Sequence, residues 1–234
     1  MYRMRRVTWI GRAVTLLVAT GVVVSIVSTV GSQAGANNAR TVGDKGASSF
    51  FPKSPEQSAF HDQMRKLWED HVTWTRLTIV SAVAGLPDTG PTLDRLQANQ
   101  DDIGAAIAPY FGQAAGDRLA ALLHEHISGA VRLVLAAKAG DTDEVAAAKD
   151  AWYANGQQIA EFLAAANPRY WPLDTMSETM RMHLDQTLQE AVDRLQGDYA
   201  ADIQDYEAAH LHILEMADLL SFGIIRRFPD QFQQ

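Results

Sequence analysis

From residue 56 onward, apolar residues recur every three or four positions, the spacing that lines one face of a helix. Met64, Leu67, His71, Thr75, Thr78 and Ala82 share a face, with Trp68 and Ile79 beside them, and predict a helix from Glu56 to about Ala84. Gly85-Leu-Pro87-Asp-Thr-Gly90-Pro91 ends it, and Thr92 or Asp94 can cap a shorter helix reaching about Ala108. Further helices follow over about Gln113–Ala139, from the caps Asp141 and Thr142 to Asn167-Pro168, over Leu173–Gln196, and over Tyr199–Arg227. Tyr170-Trp171-Pro172 makes a rigid corner between the fourth and fifth. Short connections between long helices require antiparallel neighbours, so the expected fold is all-α, an up-and-down bundle of five to six helices.

Each apolar stripe is interrupted by a polar residue near its centre. His126 stands among Leu119, Leu122, Leu123, Ala130 and Leu133, and Asn155 among Trp152, Ile159 and Phe162. His183 follows Met176 and Met180, and His210 falls between Tyr206 and Ile213. With His71, these five positions lie close to their helix midpoints, and helix midpoints share one level in an antiparallel bundle. The pattern therefore places up to four imidazoles and an amide in one cross-section. Buried polar groups are costly unless paired, so they must satisfy one another or bind something. Neutral imidazole is a ligand for zinc, copper and iron. The alternatives are a hydrogen-bonded core without a ligand, and a small organic ligand or haem.

Three carboxylates extend the candidate metal set. Glu125 adjoins His126 but points about 100° round the helix. Glu190, two turns after His183, and Asp202, shortly after the Gly197 turn, lie at comparable depth and could form a second polar layer. Arg76, one turn beyond His71, can pair with an acid there. No two histidines have i, i+4 spacing and the paired Glu-x-x-His motifs of an oxidase-like di-metal centre are absent, so such a centre is disfavoured. His61, His124 and His212 read as surface residues, and Met176, Met180, Met182 and Met216 read as packing rather than copper(I) ligands. Phosphate-loop, dinucleotide-binding, serine-hydrolase-elbow and H-E-x-x-H motifs are all missing, which favours a non-enzymatic protein.

Charge and leader then set the location. Arg3, Arg5 and Arg6 precede an uncharged apolar run from Ala13 to Val30, the layout of a signal peptide or an N-terminal membrane anchor over residues 1–31. Residues 32–55 read as a flexible linker, and 56–234 as an extracytoplasmic bundle, membrane-anchored or secreted. Residues 1–40 hold five arginines and no acid, so the other 15 basic residues face all 28 acidic ones. An acidic domain of this kind lacks the clustered cations that nucleic acid requires. The absence of cysteine excludes disulfides, thiolate metal sites and iron–sulfur clusters.

His71-Val-Thr-Trp-Thr-Arg76, Glu125-His126, Asn155 with Ile159-Ala-x-Phe-Leu163 and Asn167-Pro168, and Met216-Ala-Asp218 together resemble a family of small bacterial all-helical proteins without an established function. The resemblance spans roughly residues 60–228 and implies that His71, Glu125, His126, Asn155, His183, Glu190 and Asp202 occupy the family's patterned positions. His210 departs from it, since an acidic residue is expected there. Two functions are in view: a membrane-tethered bundle whose histidine core binds zinc, copper or iron, and a non-enzymatic envelope protein with hydrogen-bonded core histidines and a protein partner.

Overall fold

The computed structural model describes residues 52–233, which form six α-helices and a terminal 3-10 turn, with no strand among the described residues. The apolar leader and most of the linker lie outside them. The helices are α1 (Pro55–Ala84), α2 (Thr89–Phe111), α3 (Gln113–Ala139), α4 (Thr142–Ala166), α5 (Leu173–Gln196) and α6 (Tyr199–Arg227). Ser54 starts α1: its hydroxyl accepts from the Gln57 N–H at 3.2 Å, and Pro55 supplies the first helical residue, whose N–H would have no helical partner anyway. The same hydroxyl donates to the Phe232 carbonyl at 3.1 Å, so the last residues of the expected linker belong to the bundle. Asp141 and Asp198 cap α4 and α6 by accepting from Glu144 and Ala201 N–H groups.

Only α2 departs appreciably from its expected bounds. It extends three residues before Thr92 and three beyond Ala108. Pro91 sits in the first turn, where its N–H would have no helical partner, whereas Pro109 lies in the last turn and forgoes the bond that an N–H there would donate to the Ala105 carbonyl. Gly112 alone joins α2 to α3, at φ 90°, a backbone geometry that residues with a Cβ rarely adopt.

Each helix packs on its sequence neighbours and α6 returns to α1, closing a ring, while α1 also touches α3 and α5. Pairs across α1 and α6 run Arg65–Asp218, Glu69–His210 and Arg76–Asp202: as one number rises the other falls, the signature of antiparallel rods. Trp68, Leu122, Trp152, Ile159, Leu184, Ile213 and Ile224 belong to the continuous apolar core. Met176, Met180 and Met216 are buried in it as packing residues, whereas Met182 is exposed. By length and composition alone, α3 and α6 could cross a bilayer, but about half of each apolar window is buried against the other helices.

Candidate functional site

The helix midpoints meet at a polar layer. His71 of α1, His126 of α3 and His183 of α5 are each at most 3 % exposed. The His183 ring centre lies 5.8 Å from that of His71 and 5.8 Å from that of His126. The three imidazoles thus come from alternate, co-directional helices, and the intervening helices supply amides. Gln100, at the centre of α2, donates its Nε2–H to the Leu96 carbonyl at 2.7 Å, which leaves Oε1 to accept from His71 Nδ1–H at 3.3 Å. Asn155 of α4 likewise donates to the Leu122 carbonyl at 3.1 Å and accepts from His126 Nδ1–H at 3.1 Å.

These amide contacts fix tautomers. With Nδ1 carrying the proton, Nε2 of both His71 and His126 presents a lone pair. His183 differs, because its buried Nδ1 has no hydrogen-bond partner. Nor do the indole Nε1–H groups of Trp68 and Trp152, whose rings lie 5.5 Å from His71 and 5.3 Å from His126. Burial holds the imidazoles neutral. It lowers the pKa of His71 to about 4, against a smaller upward pull from Gln100. It lowers His126 to about 3, with His71 adding to the effect and Asn155 opposing it. His183 falls well below its usual value through burial first, then His71, His126 and His212.

A second polar layer lies further along α1, α5 and α6. Arg76 donates to Glu190 at 2.9 Å and forms a two-pronged pair with Asp202, while Arg194 reaches Asp202 at 3.3 Å. Burial raises Glu190 to about 7, with Arg76 pulling the other way. Burial also acts to raise Asp202, but Arg76 and Arg194 outweigh it and its pKa is lowered. Both carboxylates are therefore engaged by guanidinium groups, away from the imidazoles.

Two expected members of the site are placed elsewhere. Glu125 is exposed on α3, as its 100° offset from His126 dictates. The His210 side chain is 24 % exposed, stacks on Tyr206 and lies 3.3 Å from Glu69. In the first half of α6, Asp202 and Ala209 turn inward in place of Ile203 and His210, and Ile203 is 55 % exposed, whereas Ile213, Ala217, Leu220 and Ile224 are buried as their spacing suggests. The buried histidine of α6 is His212, read from sequence as a surface residue. Its Nε2–H donates to the Thr179 carbonyl at 3.0 Å. Gln100 was also missed, although Leu96, Gln100, Ile103 and Ile107 form an apolar stripe with a polar interruption like the others.

No set of three or more His, Asp or Glu side chains among the described residues is arranged for holding a metal ion. Compared with protein-family models, curated proteins and solved structures, the chain shows no match, so the bacterial-family resemblance rests on its quoted residues alone.

Proposed function

We propose that this chain is an exported, membrane-tethered helical bundle that binds a transition-metal ion among His71, His126 and His183, in a binding or sensing role rather than a catalytic one. One observation carries the reading: a fully buried, unpartnered His183 nitrogen between two imidazoles whose Nε2 lone pairs are left free by amide contacts. A buried ring nitrogen that has lost water without gaining a partner is costly, and an ion bound at its lone pair removes that cost. Amides oriented on Nδ1–H are also the outer-shell arrangement that metal-ligating histidines use. At metal–nitrogen bonds of ~2.0 Å, two imidazoles sharing an ion have ring centres about 5–6 Å apart, which is compatible with 5.8 Å. His183 Nδ1 carries no hydrogen bond and is the nitrogen this reading assigns to the ion. Export rests on the arginine-flanked apolar leader of residues 1–31.

Elemental analysis of the full-length protein, purified without added metal, tests the site against a His71→Ala/His183→Ala variant. Near-stoichiometric metal in the wild type and loss in the variant is expected. His210→Gln, outside the layer, should keep its metal. Equal content in wild type and double variant ends the proposal.

The second reading is a structural envelope protein whose core histidines are only hydrogen-bonded. The His71–Gln100 and His126–Asn155 bonds favour it. It predicts a metal-free monomer whose His183→Leu variant is as stable as wild type or more so, and whose co-purifying partner is a protein.

A further inference from the structure

We infer that the histidine layer is built for monovalent copper in preference to zinc, an inference that rests on the metal reading above. The first ground is charge. His71, His126 and His183 contribute only neutral nitrogens, and the buried acids that could balance a cation, Glu190 and Asp202, are already held by Arg76 and Arg194. Glu125, the remaining acid proposed for the set, is in solvent. Charging energy in a low-dielectric medium grows as the square of the charge, so a divalent ion costs about four times as much to bury here as a monovalent one.

Coordination number is the second ground. Zinc in a structural site takes four tetrahedral ligands, and in a catalytic site three with a water. Here two imidazoles flank a third, and no three-donor cage is formed. Copper(I), a closed-shell ion, is satisfied by two imidazoles near a straight line or by three in a plane. The walls are the third ground: the rings of Trp68 and Trp152 pack against His71 and His126, so apolar surface surrounds the layer in place of water. An apolar, water-poor shell also disfavours oxidation to copper(II), which seeks further ligands and carries more charge.

The test is an anaerobic competition on the full-length chain, with a colorimetric copper(I) chelator in one titration and a zinc indicator in the other. The expected result is one copper(I) per chain, held at least about 100-fold more tightly than zinc. X-ray absorption of the copper form should show two or three nitrogen neighbours. His126→Leu and His183→Leu, each checked for folding by circular dichroism, should weaken copper(I) at least about tenfold. Zinc bound as tightly as copper(I) overturns the copper inference while leaving the metal reading intact. Binding of neither overturns both.

Discussion

The three core imidazoles are neutral because burial makes protonation expensive, and that gives the protein a pH signature. Their folded pKa values lie below the ordinary histidine value, so between about pH 6.5 and 4 the unfolded chain binds protons that the native state refuses. Stability is therefore present above pH 6.5 and is lost on acidification, at roughly 2 kcal/mol for each of His71 and His126 by pH 5, with His183 acting in the same direction. Glu190 acts in the opposite sense. Its folded pKa of about 7 exceeds its unfolded one, so its protonation stabilises the fold as pH falls. Comparing slopes separates the two effects. In urea melts from pH 7 to 5, His126→Leu should show a pH dependence flatter than wild type by about one proton; identical slopes would show that His126 takes up its proton as readily in the fold as in the unfolded chain.

Arg76 presents a sharper case at the same scale. It is the shared cation for two buried carboxylates, and its own pKa is raised, chiefly by the Asp202 contact. Arg76→Met leaves those charges without their main partner and should cost about 3–5 kcal/mol in urea unfolding at pH 7. Arg76→Lys should recover only part of it, because a point charge cannot reproduce the forked contact to Glu190 and Asp202. A loss under about 1 kcal/mol for Arg76→Met would mean that the layer is solvated like a surface ion pair.

At the scale of elements, helix contacts are set by glycines and by one corner. Gly223 of α6 receives the Trp171 indole so closely that an added Cβ would lie 2.0 Å from its Nε1. That indole donates to the Leu219 carbonyl at 3.2 Å, and Asn167 donates to the Gly223 carbonyl at 2.9 Å, so the α4–α5 corner is clamped onto α6. Gly223→Ala should therefore destabilise by more than about 2 kcal/mol, the range of forced overpacking. Gly90→Ala meets nothing within 4 Å beyond its chain neighbours, but Pro91 follows it and a Cβ before proline opposes the helical backbone, so no gain in α2 stability is expected. Calorimetric melts compare the two variants, and a neutral Gly223→Ala would refute the clamp. Gly104 and Gly116 let α2 and α3 approach backbone to backbone in the same way.

The whole molecule makes its site from non-consecutive helices. Histidines on α1, α3 and α5 converge at mid-depth, with Gln100 on α2 and Asn155 on α4 between them. An ion bound there ties three elements together and, by mass action, should stabilise by about 3 kcal/mol at a hundredfold excess over its dissociation constant. Adding copper(I) anaerobically should raise the melting temperature, and a chelator should reverse the gain. A melting temperature indifferent to the ion would place any bound metal outside the bundle core. The acidic domain predicts separately that nucleic acid is not retained at physiological salt, since counterion release needs basic clusters.

Helix number, most helix ends, the antiparallel order and the depth of the polar layer follow from the sequence alone. Periodicity, caps and short connections are local properties that the chain carries along its length. Which way a residue points round its helix is legible only where apolar neighbours agree. They agree for His71, His126, Asn155 and His183, but not in the first half of α6, where Asp202 and Ala209 face inward and His212 is buried instead of His210. Tertiary structure alone decided the partners: Gln100 for His71, Arg76 for Glu190 and Asp202, and no partner for His183 Nδ1. Pairing between side chains on different helices depends on ångström-level approach, and a one-dimensional pattern of polarity holds no distances across the bundle.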